Sequence, residues 1–323
     1  MELGSYTYPI TERALGIVMQ VKLKAYFLSL NPEASALRQW DAGFILDFLK
    51  GNMWQPAGWQ DFEIKEVTRL PKEERAIVII PARHHKSLEE QVNQELQSID
   101  NVVFFCLGDE EAEFDIEKIE HQSIHTWIQN PHIGKHDNYN KLGTGYPQHI
   151  KEFLPKEIHK KLDLYFKKLD LYFAGQITHK RRIELIDVLL EYEANWRNCR
   201  VIKTNGFTQG EAPKDYYRYM CEAMAAPAPS GAIIPDSFRL FEALECMSIP
   251  IADTVTPRGE IMPYWDWLFG EASPFPQVTQ WDSLYAIMLE IRENWPMNVH
   301  KQTAWWIKYK REFANKVWRQ LNA

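Results

Sequence analysis

The sequence predicts an α/β protein with two Rossmann-like domains that face a cleft, and a C-terminal helix that can cross back between them. Short apolar strands alternate with helices in both halves of the chain, which is typical of parallel sheets covered on both faces. A long irregular loop separates the two halves. At 323 residues the chain is long enough for two domains of ordinary size.

The first half contains a strand, helix, strand unit. The β-branched run RAIVII at 75–80 and the apolar residues 102–107 predict two strands. Between them, Leu88, Val92 and Leu96 recur at helical spacing and predict an amphipathic helix. The polar residues that follow each strand are therefore candidates for a site at the strand ends.

The long loop covers residues 129–149 and contains three Gly, two Pro, three Asn and three His without a period. It is a candidate functional loop and inter-domain connection. A seven-residue tandem repeat follows at 160–173, of which the first copy continues a helix and the second predicts a strand. The predicted boundaries are 1–150 for the N-terminal domain, 151–300 for the C-terminal domain, and 301–323 for a helix that packs back on the N-terminal domain.

The second half repeats the alternation of strands and helices. Strands are predicted at 171–175, 199–206, 230–234 and 248–253, and helices at 179–195, 214–226 and 237–247. Such regular alternation predicts a second doubly wound sheet. The C-terminal segment from 303 to 323 predicts a helix whose aromatic stripe serves packing.

The composition limits the classes of partner and the compartment. A formal net charge of −7 argues against a broad cationic face for nucleic acid. The four cysteines are far apart in the sequence, which favours free thiols in a reducing compartment. No apolar run is long enough to span a bilayer, and the N-terminus lacks the character of a signal peptide. We therefore expect a cytoplasmic protein.

The stretch PDSFRLFEALE predicts an anion-binding helix N-terminus. Pro235 breaks the chain after an apolar strand, and Asp236 and Ser237 are natural caps for the helix that follows. Arg239 and Glu242 are three residues apart and project from one face of that helix. A guanidinium suits phosphate oxygens and a carboxylate can accept ribose hydroxyls, so one helix could bind a nucleotide from phosphate to sugar.

These residues carry a family resemblance. The segment APAPSGAIIPDSFRLFEALECMSIPIADT resembles the sugar-nucleotide signature of exostosin-like glycosyltransferases, and LYFAGQITHKRRIELIDVLL is similar to the start of their donor domain. The resemblance covers roughly residues 170 to 255. The sequence differs from the pattern at Met247 and Ser248, where a glycine usually precedes the Ile-Pro pair.

The resemblance implies a GT-B fold and an inverting transferase whose donor is a nucleotide-diphosphate sugar, most often UDP-linked. The implied donor-binding residues are Gly175, Lys180, Arg182, Asn205, Ser230, Ser237, Arg239 and Glu242. Among them Arg239 and Glu242 would hold the nucleotide, and Arg182, or its neighbours Lys180 and Arg181, would neutralise the leaving diphosphate. The chain has no D-x-D motif, which fits a reaction without metal or cofactor.

Inversion needs a general base, which we expect from the N-terminal half. His84 and His85 follow the strand at 75–80, and Asp109 and Glu110 follow the next strand. The base candidates are Asp109, Glu110 and His85, and chemistry alone does not choose between them.

Another pair of histidines suggests a metal site. His132 and His136 are four residues apart, as metal ligands on a helix would be. Pro131 and Gly134 break the helix that would bring the two rings together, so no metal site is expected.

Three functions remain open. The first is a transferase for a glycan or glycolipid acceptor. The second transfers the sugar to a 5-hydroxymethylpyrimidine in duplex DNA, as phage enzymes do, since the segment from residue 300 carries six Lys or Arg against one Glu. The third is a non-catalytic nucleotide-sugar-binding module. The oligomeric state is not predicted.

Overall fold

The computed structural model describes residues 23–31, 40–53, 62–148, 150–154, 167–195, 198–206 and 210–323. The first copy of the seven-residue repeat and the N-terminal stretch 1–22 lie outside these ranges. The described strands form two parallel sheets, so the expected α/β class with two Rossmann-like sheets is confirmed at this level.

The first sheet has six strands and belongs to the N-terminal half. Its strands are β1 (Leu23–Leu28), β2 (Phe62–Val67), β3 (Glu73–Pro81), β4 (Ile99–Leu107), β5 (Ile124–Gln129) and β6 (Asn140–Leu142). They lie in the order β2-β1-β3-β4-β5-β6, and every described pairing is parallel. The helices of this half are α1 (Gly43–Leu49), α2 (Glu89–Leu96) and α3 (Ile150–Phe153).

The second sheet has five parallel strands in the order β11-β10-β9-β7-β8. Its strands are β7 (Leu169–Gln176), β8 (Cys199–Thr204), β9 (Ala223–Ala228), β10 (Ile249–Asp253) and β11 (Gln277–Val278). The helices are α4 (Lys180–Asn195), α5 (Pro213–Glu222), α6 (Phe238–Glu245), α7 (Tyr264–Phe269), α8 (Leu284–Glu293) and α9 (Trp295–Leu321).

The main error in the predicted elements concerns the strand before α6. It was expected at 230–234 after a helix at 214–226, but α5 ends at Glu222 and the strand is β9. The alanines of β9 favour a helix by propensity, yet Ala225 pairs with Leu171 of β7 and with Ile249 of β10. The sheet therefore overrides the local preference, and residues 230–234 form a bend.

Other differences lie in the N-terminal half and at the C-terminal helix. The sequence did not indicate β1, β2 or α1, and the loop at 129–149 contains the short strand β6. The connection between the sheets runs from the end of β6 to Leu169. The terminal helix α9 begins at Trp295, earlier than predicted.

Helix α9 contacts both sheets. Near its start, Val299 packs in the core of the C-terminal half. Further along, the ring centroid of Phe313 lies 5.2 Å from that of Phe44 and 5.0 Å from that of Trp127. The Trp127 indole also donates a 2.9 Å hydrogen bond to Gln320. The aromatic stripe of α9 therefore packs in the core and joins the two halves.

A buried carboxylate holds the end of α6 against both halves. Glu245 is 3% exposed, pairs with Lys151 of α3, and accepts from Lys310 of α9 at 2.6 Å and from the Trp306 indole at 2.7 Å. Burial by itself raises the pKa of Glu245, but the two lysines outweigh it and lower this pKa to about 2. The carboxylate is thus ionised and fully engaged.

A second set of contacts joins the loop after β6 to α6. A side chain at Gly143 would place its Cβ 2.2 Å from the Phe241 ring of α6, so only glycine lets the loop after β6 approach this closely. Beside it, the Thr144 amide donates to Asp236 at 2.9 Å. These contacts fix the N-terminus of α6 relative to the first sheet.

We predict that Glu245→Gln lowers the free energy of unfolding by about 3 to 5 kcal/mol, because it removes the charge of the buried carboxylate that the partly buried Lys151 and Lys310 share. Since the pKa of Glu245 is lowered in the folded state, its contribution is present above pH 4.5 and is lost as the pH falls toward 2. Denaturant unfolding at several pH values measures both effects. The variant should lose this acid-dependent part of stability, and the exposed control Glu312→Gln should keep it. Equal stability of Glu245→Gln and the parent protein at pH 7 would show that the ion pairs of Glu245 with Lys151 and Lys310 do not stabilise the fold.

Candidate functional site

A cavity of about 640 Å³ lies between the two halves, at the carboxyl ends of the strands. This is where parallel α/β sheets bind ligands. Gly175 and Gln176 at the end of β7 and Thr204 at the end of β8 line it, together with Glu110 after β4 and Thr144 after β6. Further lining residues come from α5 and α6 and from the segments before them: Glu211, Tyr216, Tyr217, Asp236, Ser237, Arg239 and Glu242.

Arg239 points from α6 to the end of β7. Its Nη2 donates to the Ala174 carbonyl, and its guanidinium lies over the Phe173 ring with its carbon 4.7 Å from the ring centroid. The buried Nε has no hydrogen-bond partner in the described residues. A Cβ at Gly175 would lie 2.7 Å from Nη2, so the absence of a side chain there admits the guanidinium.

Arg182 lies close to Arg239 and is held by backbone oxygens. It donates to the Gln176 carbonyl at 3.2 Å and, through two nitrogens, to the Ser230 carbonyl at 3.2 and 3.3 Å. Burial first, and then the positive charge of Arg239, lowers the pKa of Arg182 to about 10, while Glu110 acts in the opposite sense.

Neither guanidinium has an ion-pair partner in the described part of the chain, although other arginines do. Arg181, for example, pairs with the buried Asp253 at 2.7 Å. Two neighbouring positive charges in a partly buried site repel each other and have lost part of their hydration. An anionic ligand would remove both costs.

The N-terminus of α6 adds to this positive potential. Ser237 is the N-cap residue, but its hydroxyl makes no capping bond, and in the described residues it has no hydrogen-bond partner. The expectation that Asp236 and Ser237 cap the helix with their side chains is therefore wrong, because Asp236 turns to Thr144 and Tyr264 instead. The uncapped N–H groups and the helix dipole favour an anion here.

Glu242 is one turn further along α6 and is 6% exposed. Its two carboxylate oxygens accept hydroxyl hydrogens from Tyr216 at 2.7 Å and Tyr217 at 2.8 Å. Burial, followed by the charge of Glu242, raises the pKa of Tyr216 well above its ordinary value, so the phenol remains a donor. The tyrosines hold the carboxylate in place at the wall of the cavity.

Of the three base candidates, only Glu110 lines the cavity. Burial and the charge of Asp41 raise its pKa, while Arg83 and Arg182 oppose the shift. His85 is fully buried, with Nε2 bound to the Leu30 amide and Nδ1 at 3.0 Å from the Pro81 carbonyl. Asp109 accepts the amides of the next turn, Glu113 and Phe114, at 2.9 and 3.0 Å. These contacts give His85 and Asp109 structural roles.

Three of the predicted donor-binding residues do not line the cavity. Lys180 is exposed and lies 3.6 Å from Glu184, and Asn205 is exposed. The Ser230 hydroxyl is buried and donates to Asp253 at 3.0 Å, although the carbonyl of the same residue holds Arg182. The structure thus brings together Gly175, Arg182, Ser237, Arg239 and Glu242 of the predicted set.

The histidine pair at 132 and 136 is part of a turn. The amide of His132 donates to Nδ1 of His136 at 3.0 Å, and Nε2 of His132 lies 2.8 Å from the Glu110 carbonyl. Burial lowers the pKa of His136 to about 4. In the ranges that the structure describes, no group of three or more His, Cys, Asp or Glu side chains could hold a metal ion.

Two of the basic residues of α9 pair with acidic neighbours. Lys308 lies 3.2 Å from Glu271, and Lys310 is part of the Glu245 network. Four others are exposed: Lys301, Arg311, Lys316 and Arg319. Within the described residues, every helix is too short or too polar to cross a membrane.

Sequence reasoning missed several residues of the site. Asp236 was considered only as a cap, and neither Thr144 nor the two tyrosines of α5 were singled out. Tyr216 and Tyr217 reach Glu242 because α5 and α6 both pack against β9, which no local signal indicates. The loop GTGYP, which carries Thr144, could have been flagged by its two glycines.

No protein-family model and no curated protein matches this sequence significantly.

We predict that pyrophosphate raises the melting temperature and that Arg239→Gln removes most of this effect. A ligand at one hundred times its Kd stabilises the folded state by about 2.7 kcal/mol. Differential scanning fluorimetry over a pyrophosphate series measures the shift. Arg218→Gln is the matched control, because Arg218 lies on the surface of α5 and pairs with Asp215. An equal loss in both variants would assign the shift to general ionic effects.

Proposed function

We propose that the chain is a glycosyltransferase of GT-B type that uses a nucleotide-diphosphate sugar without a metal ion. The observation that carries this proposal is the pair of guanidinium groups of Arg182 and Arg239, which make no ion pair of 4 Å or less within the described residues and lie near the uncapped N-terminus of α6. Fixed positive groups of this kind stabilise the charge that develops on a leaving diphosphate.

Contacts between neighbouring residues connect the polar groups of the cavity. Glu211 bonds to Tyr172 and to Arg200 of β8, Tyr216 bonds to Glu242, and Arg239 lies near Arg182. A nucleoside therefore fits beside Glu242, with its ribose hydroxyls facing the carboxylate and the Tyr216 phenol. The diphosphate then reaches both arginines and the Ser237 hydroxyl. The resemblance to exostosin-like enzymes favours UDP as the nucleotide.

The donor sugar would extend past Arg182 toward Glu110 of the first sheet. Trp40 and Pro147 of the N-terminal half also line the cavity. Trp40 is 38% exposed, and a partly exposed indole at a cavity mouth offers an apolar face with a polar edge. This suits a sugar ring of a glycan or glycolipid acceptor, which we propose as the acceptor class.

The reaction forms two bonds and breaks two. The acceptor hydroxyl oxygen bonds to the anomeric carbon, its O–H proton goes to a base, and the bond from the anomeric carbon to the diphosphate oxygen breaks. The electron pair leaves with the nucleotide diphosphate, where Arg182 and Arg239 stabilise it. Attack from the face opposite the diphosphate inverts the anomeric centre.

We predict that UDP binds the wild-type protein and that Glu242→Gln weakens this binding about tenfold to hundredfold. The reason is that hydrogen bonds to a charged group contribute about 1.5–3 kcal/mol. Isothermal titration calorimetry with UDP measures the change. Glu290→Gln, an exposed substitution on α8, serves as the matched control and should bind UDP as the parent does.

A transfer assay separates the alternatives. UDP-sugars are offered with oligosaccharide acceptors and with duplex DNA that contains 5-hydroxymethylcytosine. Transfer to oligosaccharide supports the proposal, and transfer to DNA alone selects the DNA-modifying alternative. Binding of UDP-sugars without transfer or slow hydrolysis would indicate a binding module. If no nucleotide diphosphate binds, the proposed donor site is wrong.

A further inference from the structure

Asp236 has an environment that its position before α6 does not explain. It is 3% exposed and is one of the residues that line the cavity. One carboxylate oxygen, Oδ2, accepts the Thr144 amide at 2.9 Å and the Tyr264 hydroxyl at 3.0 Å. The other oxygen, Oδ1, is buried and has no hydrogen-bond partner in the described residues. A carboxylate oriented by two donors, with one oxygen unused, needs an explanation.

The neighbours of Asp236 make it basic. The pKa of Asp236 is raised to about 7: burial and, to a smaller extent, the negative charge of Glu110 raise it, and the hydrogen bonds from Thr144 and Tyr264 partly oppose this rise. Tyr309 of α9 also lies within electrostatic range, and burial raises its pKa so that it stays neutral. A carboxyl group that titrates near neutral pH can both accept and release a proton.

We propose that Asp236 is the catalytic base, which removes the proton from the acceptor hydroxyl through its unpartnered oxygen Oδ1. This inference rests on the proposed transferase function and deepens it. As the acceptor oxygen bonds to the anomeric carbon and the diphosphate leaves, the hydroxyl proton passes to Oδ1. Release of that proton to solvent restores the carboxylate for the next cycle.

Glu110 then has a different part in the reaction. It lies close enough to Arg182 for the two charges to interact. Burial raises the pKa of Glu110, and the positive charge of Arg182 opposes this rise and favours the ionised carboxylate. Its negative charge in turn raises the proton affinity of Asp236 across the cleft. We therefore assign Glu110 as a positioning residue, which tunes the base from the opposite domain.

Asp236 is oriented by donors from both halves of the chain. Thr144 follows β6 in the first half and Tyr264 lies in α7 in the second, and both donate to the same oxygen. The base is therefore oriented only when the loop after β6 lies against α6.

The test compares Asp236→Asn with the matched control Asp215→Asn, which lies on the surface of α5. We expect Asp236→Asn to lower kcat for sugar transfer about 10² to 10⁴-fold, the usual contribution of a general base. The Kd for UDP should stay within about threefold, because Asp236 does not hold the nucleotide. Asp215→Asn should change neither.

The pH profile distinguishes a catalytic from a structural role. For the wild type, kcat/KM should rise with pH through an apparent pKa near 7. Tyr264→Phe removes a hydrogen bond that lowers the pKa of Asp236, so the rise should move to higher pH. Glu110→Gln removes a charge that raises it, so the rise should move to lower pH. A structural role predicts lower stability in these variants, but no opposite shifts of the profile.

The outcomes separate this inference from the proposed function. If the wild type transfers sugar and Asp236→Asn retains more than a tenth of kcat, Asp236 is not the base and the transferase proposal stands. If the wild type binds no nucleotide diphosphate and transfers nothing, both proposals fall. Should Asp236→Asn fold poorly, the opposite shifts of Tyr264→Phe and Glu110→Gln decide, and shifts that are absent or in the same direction overturn the inference.

Discussion

The position of helix α6 depends on the buried ion-pair network at Glu245. Lys151 approaches this carboxylate from α3, and Lys310 and Trp306 approach it from α9, so one end of α6 is tied to two other helices. Breaking such a network is costly, because each member would be left charged and poorly hydrated. The network fixes where the other end of α6 points, which is into the cavity between the two sheets.

The two ends of α6 differ in how their charges are satisfied. At the C-terminal end, Glu245 has two cations and an indole donor. At the N-terminal end, Arg239 and the nearby Arg182 have no acidic partner in the described residues, and the Ser237 hydroxyl and Arg239 Nε are buried without hydrogen bonds there. Buried polar groups are normally satisfied, and exceptions concentrate at sites that a ligand completes. This contrast is the physical basis for placing an anionic ligand at one end only.

The sequence predicted an element correctly where the residues of that element alone specify its structure, and it failed where pairing with distant strands decides. The strands at 75–80 and 102–107 are buried on both faces, and their continuous apolar composition identified them. The strand β9 was misplaced because its run of alanines resembles a helix and only pairing with Ile249 and Leu171 makes it extended. Arg239, Glu242 and Arg182 were identified from motif and position, and all three line the cavity.

The sequence by itself determined the alternation of strands and helices, and it identified the helix whose N-terminus carries Ser237 and Arg239, because periodicity and strand-end position are local properties. Only the tertiary structure decided which polar residues meet. It separated Glu110 from His85 and Asp109, and it joined Asp236 to Thr144, which is 92 positions away along the chain. The physical reason is that burial, hydrogen-bond partners and neighbouring charges set the chemistry of a carboxyl group. These depend on how the two sheets and α9 pack together, which no local pattern of residues records.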